Sequence, residues 1–186
     1  MAVLRRPLLA SFLVLAAVLA APGAAGAQAA ATEYAVKAAF LYNFTKFVEW
    51  PESAFPDGTL RLCVLGEDPF GKALQTVAGE EVAGHKLIVL STGKLSDPAG
   101  CQVLFISQSE RERMPRILAG LRDLPVLTVS DTGGFIDQGG IINFTLEGGK
   151  VRFEINQESA ERAGIKISSK LLRLATRVTP GSKPGP

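Results

Sequence analysis

Between Ile142 and Asn156 the chain alternates. Ile142, Phe144 and Leu146 are separated by polar residues, the turn Glu147-Gly148-Gly149-Lys150 follows, and Val151, Phe153 and Ile155 alternate again. Successive side chains of a strand point to opposite faces, so this pattern requires a half-buried β-hairpin with one apolar and one polar side. The polar side gathers Asn143, Thr145, Arg152, Glu154 and Asn156.

Upstream lie four strand-like runs, Leu60 to Leu65, Lys86 to Leu90, Gln102 to Ile106 and Val126 to Val129. Helical candidates stand at Phe70 to Val77 and Glu110 to Leu121, and Ser91 to Gly100 has loop composition. Alternating strand and helix implies a parallel sheet covered on both faces, to which the hairpin adds antiparallel strands. The expected fold is therefore α/β: a mixed, mainly parallel sheet flanked by helices on both faces, with a C-terminal β-hairpin and helix.

Before the strands, Tyr34 to Trp50 reads as an amphipathic helix stopped by Pro51, with Leu41, Phe44 and Val48 on one face and Phe40 and Phe47 beside it. Aromatics this dense serve a core first, and an exposed edge of Phe40, Phe47 and Trp50 would make a partner surface. After the hairpin, Asn156 is placed to cap a helix through Ala163, and Gly164 to end it in a left-handed conformation. Ser168 then caps a last helix in which Leu171, Leu174, Ala175 and Val178 form one apolar stripe. Lys170, Arg173 and Arg177 line the other side of that helix, as a solvated face or as a patch for an acidic partner.

Arg5 and Arg6, the apolar run from Leu8 to Ala21 and the small residues Ala25-Gly26-Ala27 have the three regions of a secretory signal peptide, so residues 1–27 are expected to be removed on export to the periplasm. The run falls short of the roughly 20 apolar residues of a membrane span. The chain carries 20 basic against 18 acidic residues, and residues 1–27 hold two of the basic and none of the acidic ones. What remains is balanced in charge and offers nothing to nucleic acid. Residues 28–179 suit a single domain with a real core, and Pro180 to Pro186 is a disordered Pro/Gly tail. Cys63 and Cys101 are the only cysteines; an even pair in an exported chain reads most economically as one disulfide, with two buried thiols as the alternative.

Catalytic motifs are thin. Gly66-Glu67-Asp68-Pro69-Phe70-Gly71-Lys72-Ala73 follows a strand and has phosphate-loop spacing up to its final residue. Ala73 has no hydroxyl for magnesium, and Glu67 and Asp68 repel phosphate, which leaves an ordinary strand-to-helix turn. His85 is the single histidine, so a two-histidine metal site is excluded and a Ser-His-Asp triad has one candidate base. Ser107, Ser109 and Ser130 lack the flanking glycines of a nucleophile elbow. Asp131 and Asp137, set among paired glycines, read as turn formers ahead of cation ligands. No catalytic residue, metal or cofactor is expected, and no enzyme.

Taken in order, YAVKAAFLYNFTKFVEWP (Tyr34 to Pro51), LRLCVLG (Leu60 to Gly66) with DPFG, CQVLFIS (Cys101 to Ser107), SDTGGFIDQGGIINF (Ser130 to Phe144) and the tract onward to Val178 resemble the YfiR family, small periplasmic proteins that restrain an inner-membrane diguanylate cyclase. The likeness covers nearly all of the chain after residue 27 and rests on the ordered set of segments. It implies regulation by binding, without chemistry. The implied partner is the periplasmic domain of an inner-membrane diguanylate cyclase, with an outer-membrane lipoprotein as a second partner and room for a homodimer. The resemblance supports a Cys63–Cys101 bridge, since relatives carry one at matching positions; the second pair some relatives have near the hairpin is missing here. The expected partner- or ligand-binding surface is Arg152, Glu154 and Asn156, with Arg162 and Lys166 close in sequence and Trp50 on the helix edge. Glu154 is the residue the resemblance singles out. The alternative function is a periplasmic small-ligand binding or sensing protein.

Overall fold

The computed structural model describes residues 23–92 and 100–181. In chain order, α1 (Gly23–Thr45) leads through β1 (Val48–Glu49) to β2 (Thr59–Leu65), β3 (Glu81–Val82), β4 (His85–Thr92) and β5 (Val103–Ile106). Then come α2 (Met114–Leu121), β6 (Leu127–Ser130), the hairpin β7 (Ile142–Glu147) and β8 (Lys150–Asn156), α3 (Gln157–Arg162), β9 (Lys166–Ile167), α4 (Ser169–Leu172) and β10 (Arg177–Thr179). Among the described residues, eight strands form one sheet in the order β10-β8-β7-β6-β5-β2-β4-β3, and β1 pairs β9 in a separate two-stranded ladder. Only β7–β8 and β3–β4 are antiparallel within the main sheet, so it is mixed and mainly parallel.

Strands β2 and β5 run parallel at its centre, with Leu62 opposite Val103 and Leu65 opposite Ile106. Their near-continuous apolar sequence has to be covered on both faces, and alternation divides it cleanly. Leu62, Val64, Val103 and Phe105 join the core that holds Leu41 and Phe44 of α1. Cys63, Leu65, Leu104 and Ile106 join the core that holds Met114, Leu118 and Leu121 of α2. Cys63 and Cys101 are bonded there, with Cα atoms 6.0 Å apart, because β2 and β5 are neighbours.

Helix α1 is held at two points. Phe44 packs edge-on to Phe153 at 5.1 Å and stacks on Phe144 at 5.7 Å, while Phe40 meets Phe153 at 5.6 Å. One helical turn earlier Lys37 donates to Asp131 Oδ2 at 2.6 Å, and the Tyr34 hydroxyl reaches the same oxygen at 2.8 Å. The side chains of Lys37 and Asp131 are each only 4% exposed, and Glu33 adds a second ion pair to Lys37.

Several local expectations are corrected. Helix α1 ends at Thr45 instead of Trp50: Pro51 biases Trp50 to extended backbone, and Val48 pairs with Ile167 of β9. Phe47, Val48 and Trp50 therefore belong to no helical face. Residues 70–77 form turns and a 3-10 segment, Leu74–Val77, beside Gly71 at φ +56°. The helix expected from Glu110 is divided, a 3-10 segment Gln108–Arg113 preceding α2, because Pro115 has no N–H for a continuous helix. Most consequentially, the last helix stops at Leu172, where the chain turns to lay β10 parallel to β8. Val178 and Arg177 are strand residues and Leu174 is 66% exposed, so neither the apolar stripe nor the basic row exists. The hairpin's polar face is not open either, since Asn143 and Asn156 are buried. The signal-peptide reading concerns residues 1–22, which lie outside the described residues, and 23–27, which begin α1. Residues 182–186 of the tail, and 93–99 of the expected loop, also lie outside them.

Lys37→Met leaves the Asp131 carboxylate buried without its cation, and should lower the unfolding free energy in urea by about 3–5 kcal/mol. Burial first, and then the bond to Asp131, push the Tyr34 hydroxyl above the ordinary tyrosine range. Its proton is held more tightly folded than unfolded, so that contribution is complete below a pH of about 10 and fades as pH rises through the folded value. The alkaline fall in stability should accordingly be shallower in Tyr34→Phe, measured by urea unfolding between neutral and alkaline pH. Replacing both cysteines by alanine should cost about 4 kcal/mol on the chain-entropy account of a crosslink.

Candidate partner-binding surface

Strand β8 sends Arg152, Glu154 and Asn156 to one face, and the fold then gives each a different setting. Glu154 faces Arg177 across the β8–β10 pair; Arg177 Nε lies 3.2 Å from Glu154 Oε1, and the same guanidinium reaches Asp137 Oδ1 at 2.8 Å. Asn156 accepts from the Ser159 N–H at 2.9 Å, which caps α3, and donates to the Ile136 carbonyl at 2.8 Å. Gly164 at φ +71° ends that turn, and Ser168 caps α4. Arg162 is paired with Glu158 one turn back at 2.9 Å. Lys166 is exposed opposite Glu49, and Trp50 donates from Nε1 to the Gln102 carbonyl at 3.2 Å.

These six residues do not form one patch. Asn156 and Arg162 line a polar cleft of about 610 Å³ together with Leu118, Arg122, Asp137 and Ser159. Glu154 does not line it, and is tied to its lining residue Asp137 through Arg177. Arg152 belongs to a different cavity of about 760 Å³, between α1 and the hairpin, with Val36, Phe40, Leu146, Lys150 and Val151. Lys166 and Trp50 line neither.

Three features escaped the sequence. Lys37 falls on the buried stripe of α1 with Tyr34, Leu41 and Phe44, and a lysine inside an apolar stripe is itself a signal that a buried counter-ion exists elsewhere. Asp131 is that counter-ion. Arg122 at the cleft gave no signal, since only the approach of α2 to α3 brings it there. The phosphate-loop look-alike is engaged internally: the Glu67 N–H donates to Ser109 Oγ at 2.9 Å and the Phe70 N–H to Asp68 at 2.8 Å. His85 stacks on Phe55 at 3.9 Å, and among the described residues no group of three His, Cys, Asp or Glu is placed to hold a metal.

Residues 34–176, well over half of the chain, match the model of the YfiR/HmsC-like family. The chain belongs to the YfiR/HmsC-like family. Membership supports a regulatory role in cyclic-di-GMP signalling, in a family that is regulatory and periplasmic; the Cys63–Cys101 bridge is consistent with export. A solved structure of a conserved domain protein from Vibrio cholerae O1 biovar El Tor is similar, with 14% identity over 68% of this chain and a TM-score of 0.49. The match spans 57% of that longer chain.

Asn156→Ala removes the α3 cap and one of the two donors to the Ile136 carbonyl, which keeps only the Gly139 N–H at 3.2 Å, so a loss of about 1–2 kcal/mol in thermal or urea unfolding is expected. Arg177→Ala breaks only surface pairs and should stay under about 1 kcal/mol in the same assay.

Proposed function

We propose that residues 1–27 are removed on export, that residues 28–179 form the periplasmic domain with a short tail after it, and that this domain binds the periplasmic sensory part of an inner-membrane diguanylate cyclase and restrains it. Cyclic-di-GMP output falls as a result. The observation that carries this reading is the family match over residues 34–176. Exposed Arg152 and Lys166, with the paired charges Glu154 and Arg162, supply recognition; Asn156 and Trp50 hold the backbone near them. Restraint requires tighter binding to the inactive conformation, since equal affinity for both shifts nothing, and moving the target from one to the other extreme takes about a 10⁴-fold preference. A competing outer-membrane lipoprotein, self-association, or reduction of Cys63–Cys101 would release the target.

A second reading, small-ligand sensing, is favoured by the polar cleft, where Asp137 and Glu158 already have arginine partners and Arg122 has no ion pair among the described residues. Deletion of the gene should raise cellular cyclic-di-GMP, and crosslinking from the folded protein should retrieve a membrane protein with a GGDEF domain. Unchanged cyclic-di-GMP with no such protein retrieved, alongside saturable binding of a metabolite, would transfer the assignment to the second reading.

A further inference from the structure

The cavity between α1 and the hairpin differs in character from the polar cleft. Phe40 and Val151 form its floor, and Val36 and Leu146, 41% and 55% exposed, stand open on its two walls. Large apolar side chains left in water at facing positions mark an interaction surface more than scattered single ones do. The hairpin wall also carries Lys150 and Arg152, and neither has an ion-pair partner among the described residues. On the helix wall Glu33 is bound to Lys37 and is not free to neutralise them.

We propose that this trough is where the membrane partner docks, and that the docking element is an amphipathic helix bearing carboxylates along one side of its apolar ridge. The inference rests on the restraint reading above and supplies its contact surface. A helix satisfies its own backbone groups, so it can lie in an apolar trough and use only side chains for recognition, anchored at i, i+3, i+4 and i+7. About 760 Å³ takes a few anchor side chains of such a ridge. The free charges of Lys150 and Arg152 set its orientation, because acids on the partner gain by facing the hairpin wall and lose by facing Glu33. A uniformly anionic bilayer fits less well, since Glu33 on one wall and Glu147 at the hairpin turn would repel it.

The test uses the full chain in its own cells, with periplasmic abundance, bridge formation and thermal midpoint matched to the parent. Leu146→Glu and Arg152→Glu should each raise cyclic-di-GMP to the level of the deletion strain. Leu174→Glu, at a leucine 66% exposed but away from the trough, should not. A photo-crosslinker at position 146 should join the chain to a GGDEF-domain membrane protein, and one at 174 should not. Binding of that protein's purified periplasmic domain should weaken at least tenfold with Arg152→Glu and recover when the crosslinked helix has its acids reversed to lysine.

If the parent chain lowers cyclic-di-GMP and crosslinks while both trough variants behave identically to it, the trough is wrong and the restraint reading stands. If the parent does neither, both fall together. A crosslink from 146 to a second copy of the chain would make the trough a self-interface. Flotation of the parent with phosphatidylglycerol vesicles, lost in Arg152→Glu, would make it a lipid site. Either result overturns the helix.

Discussion

Phe40 and Phe44 of α1 close on Phe144 and Phe153 of the hairpin, and the remaining organisation follows from that contact. It joins the first described element to strands about a hundred residues later, so its cost in loop closure is repaid only when large aromatic surfaces meet. Nearer the start of the helix, Gly26 and residues 28–32 are exposed. Lys37 and Asp131 add a polar contact that fixes rotation as well as position, because a buried pair is favourable only in good geometry. Seated this way, α1 stands off from the end of the hairpin, and the space left between them is the apolar trough.

The centre of the sheet is buried, and its charged groups stand toward the edges. From Leu62 to Leu65 and from Val103 to Ile106, strands β2 and β5 are buried on both faces beside the Cys63–Cys101 bridge, so that stretch offers nothing to a partner. Charged groups gather where the sheet ends: at β8 and β10, at α3, and at the exposed tip of the hairpin. The restraint proposed above would benefit from such a division, since a stiff frame loses less entropy when its surface is bound.

Patterns with a short range are legible in the sequence. The alternation from Ile142 to Ile155, the caps at Asn156 and Ser168, the left-handed Gly164 and the strand runs all appear where local chemistry predicts them, because each depends on a few neighbouring residues. The differences sit where a distant partner intervenes. Val48 leaves its helical stripe to pair with Ile167, and Arg177 leaves a basic row to face Glu154. Strand periodicity puts the charged surface in one row along β8, yet Arg152 and Asn156 serve different cavities, because α1 covers one end of the strand and α3 the other.

By itself the sequence determined the class of fold, the positions of most strands and the turn between β7 and β8, since hydrophobic period and turn chemistry need no knowledge of what lies across the core; it made one Cys63–Cys101 bridge the economical reading over two buried thiols, and the structure bonds them. Only the tertiary structure decided that Lys37 is buried against Asp131, that Asn143 and Asn156 are interior, and that Leu146 and Val36 share a trough. Burial and charge pairing are properties of what packs against a residue, and for Lys37 and for the trough the deciding neighbours are about a hundred positions away.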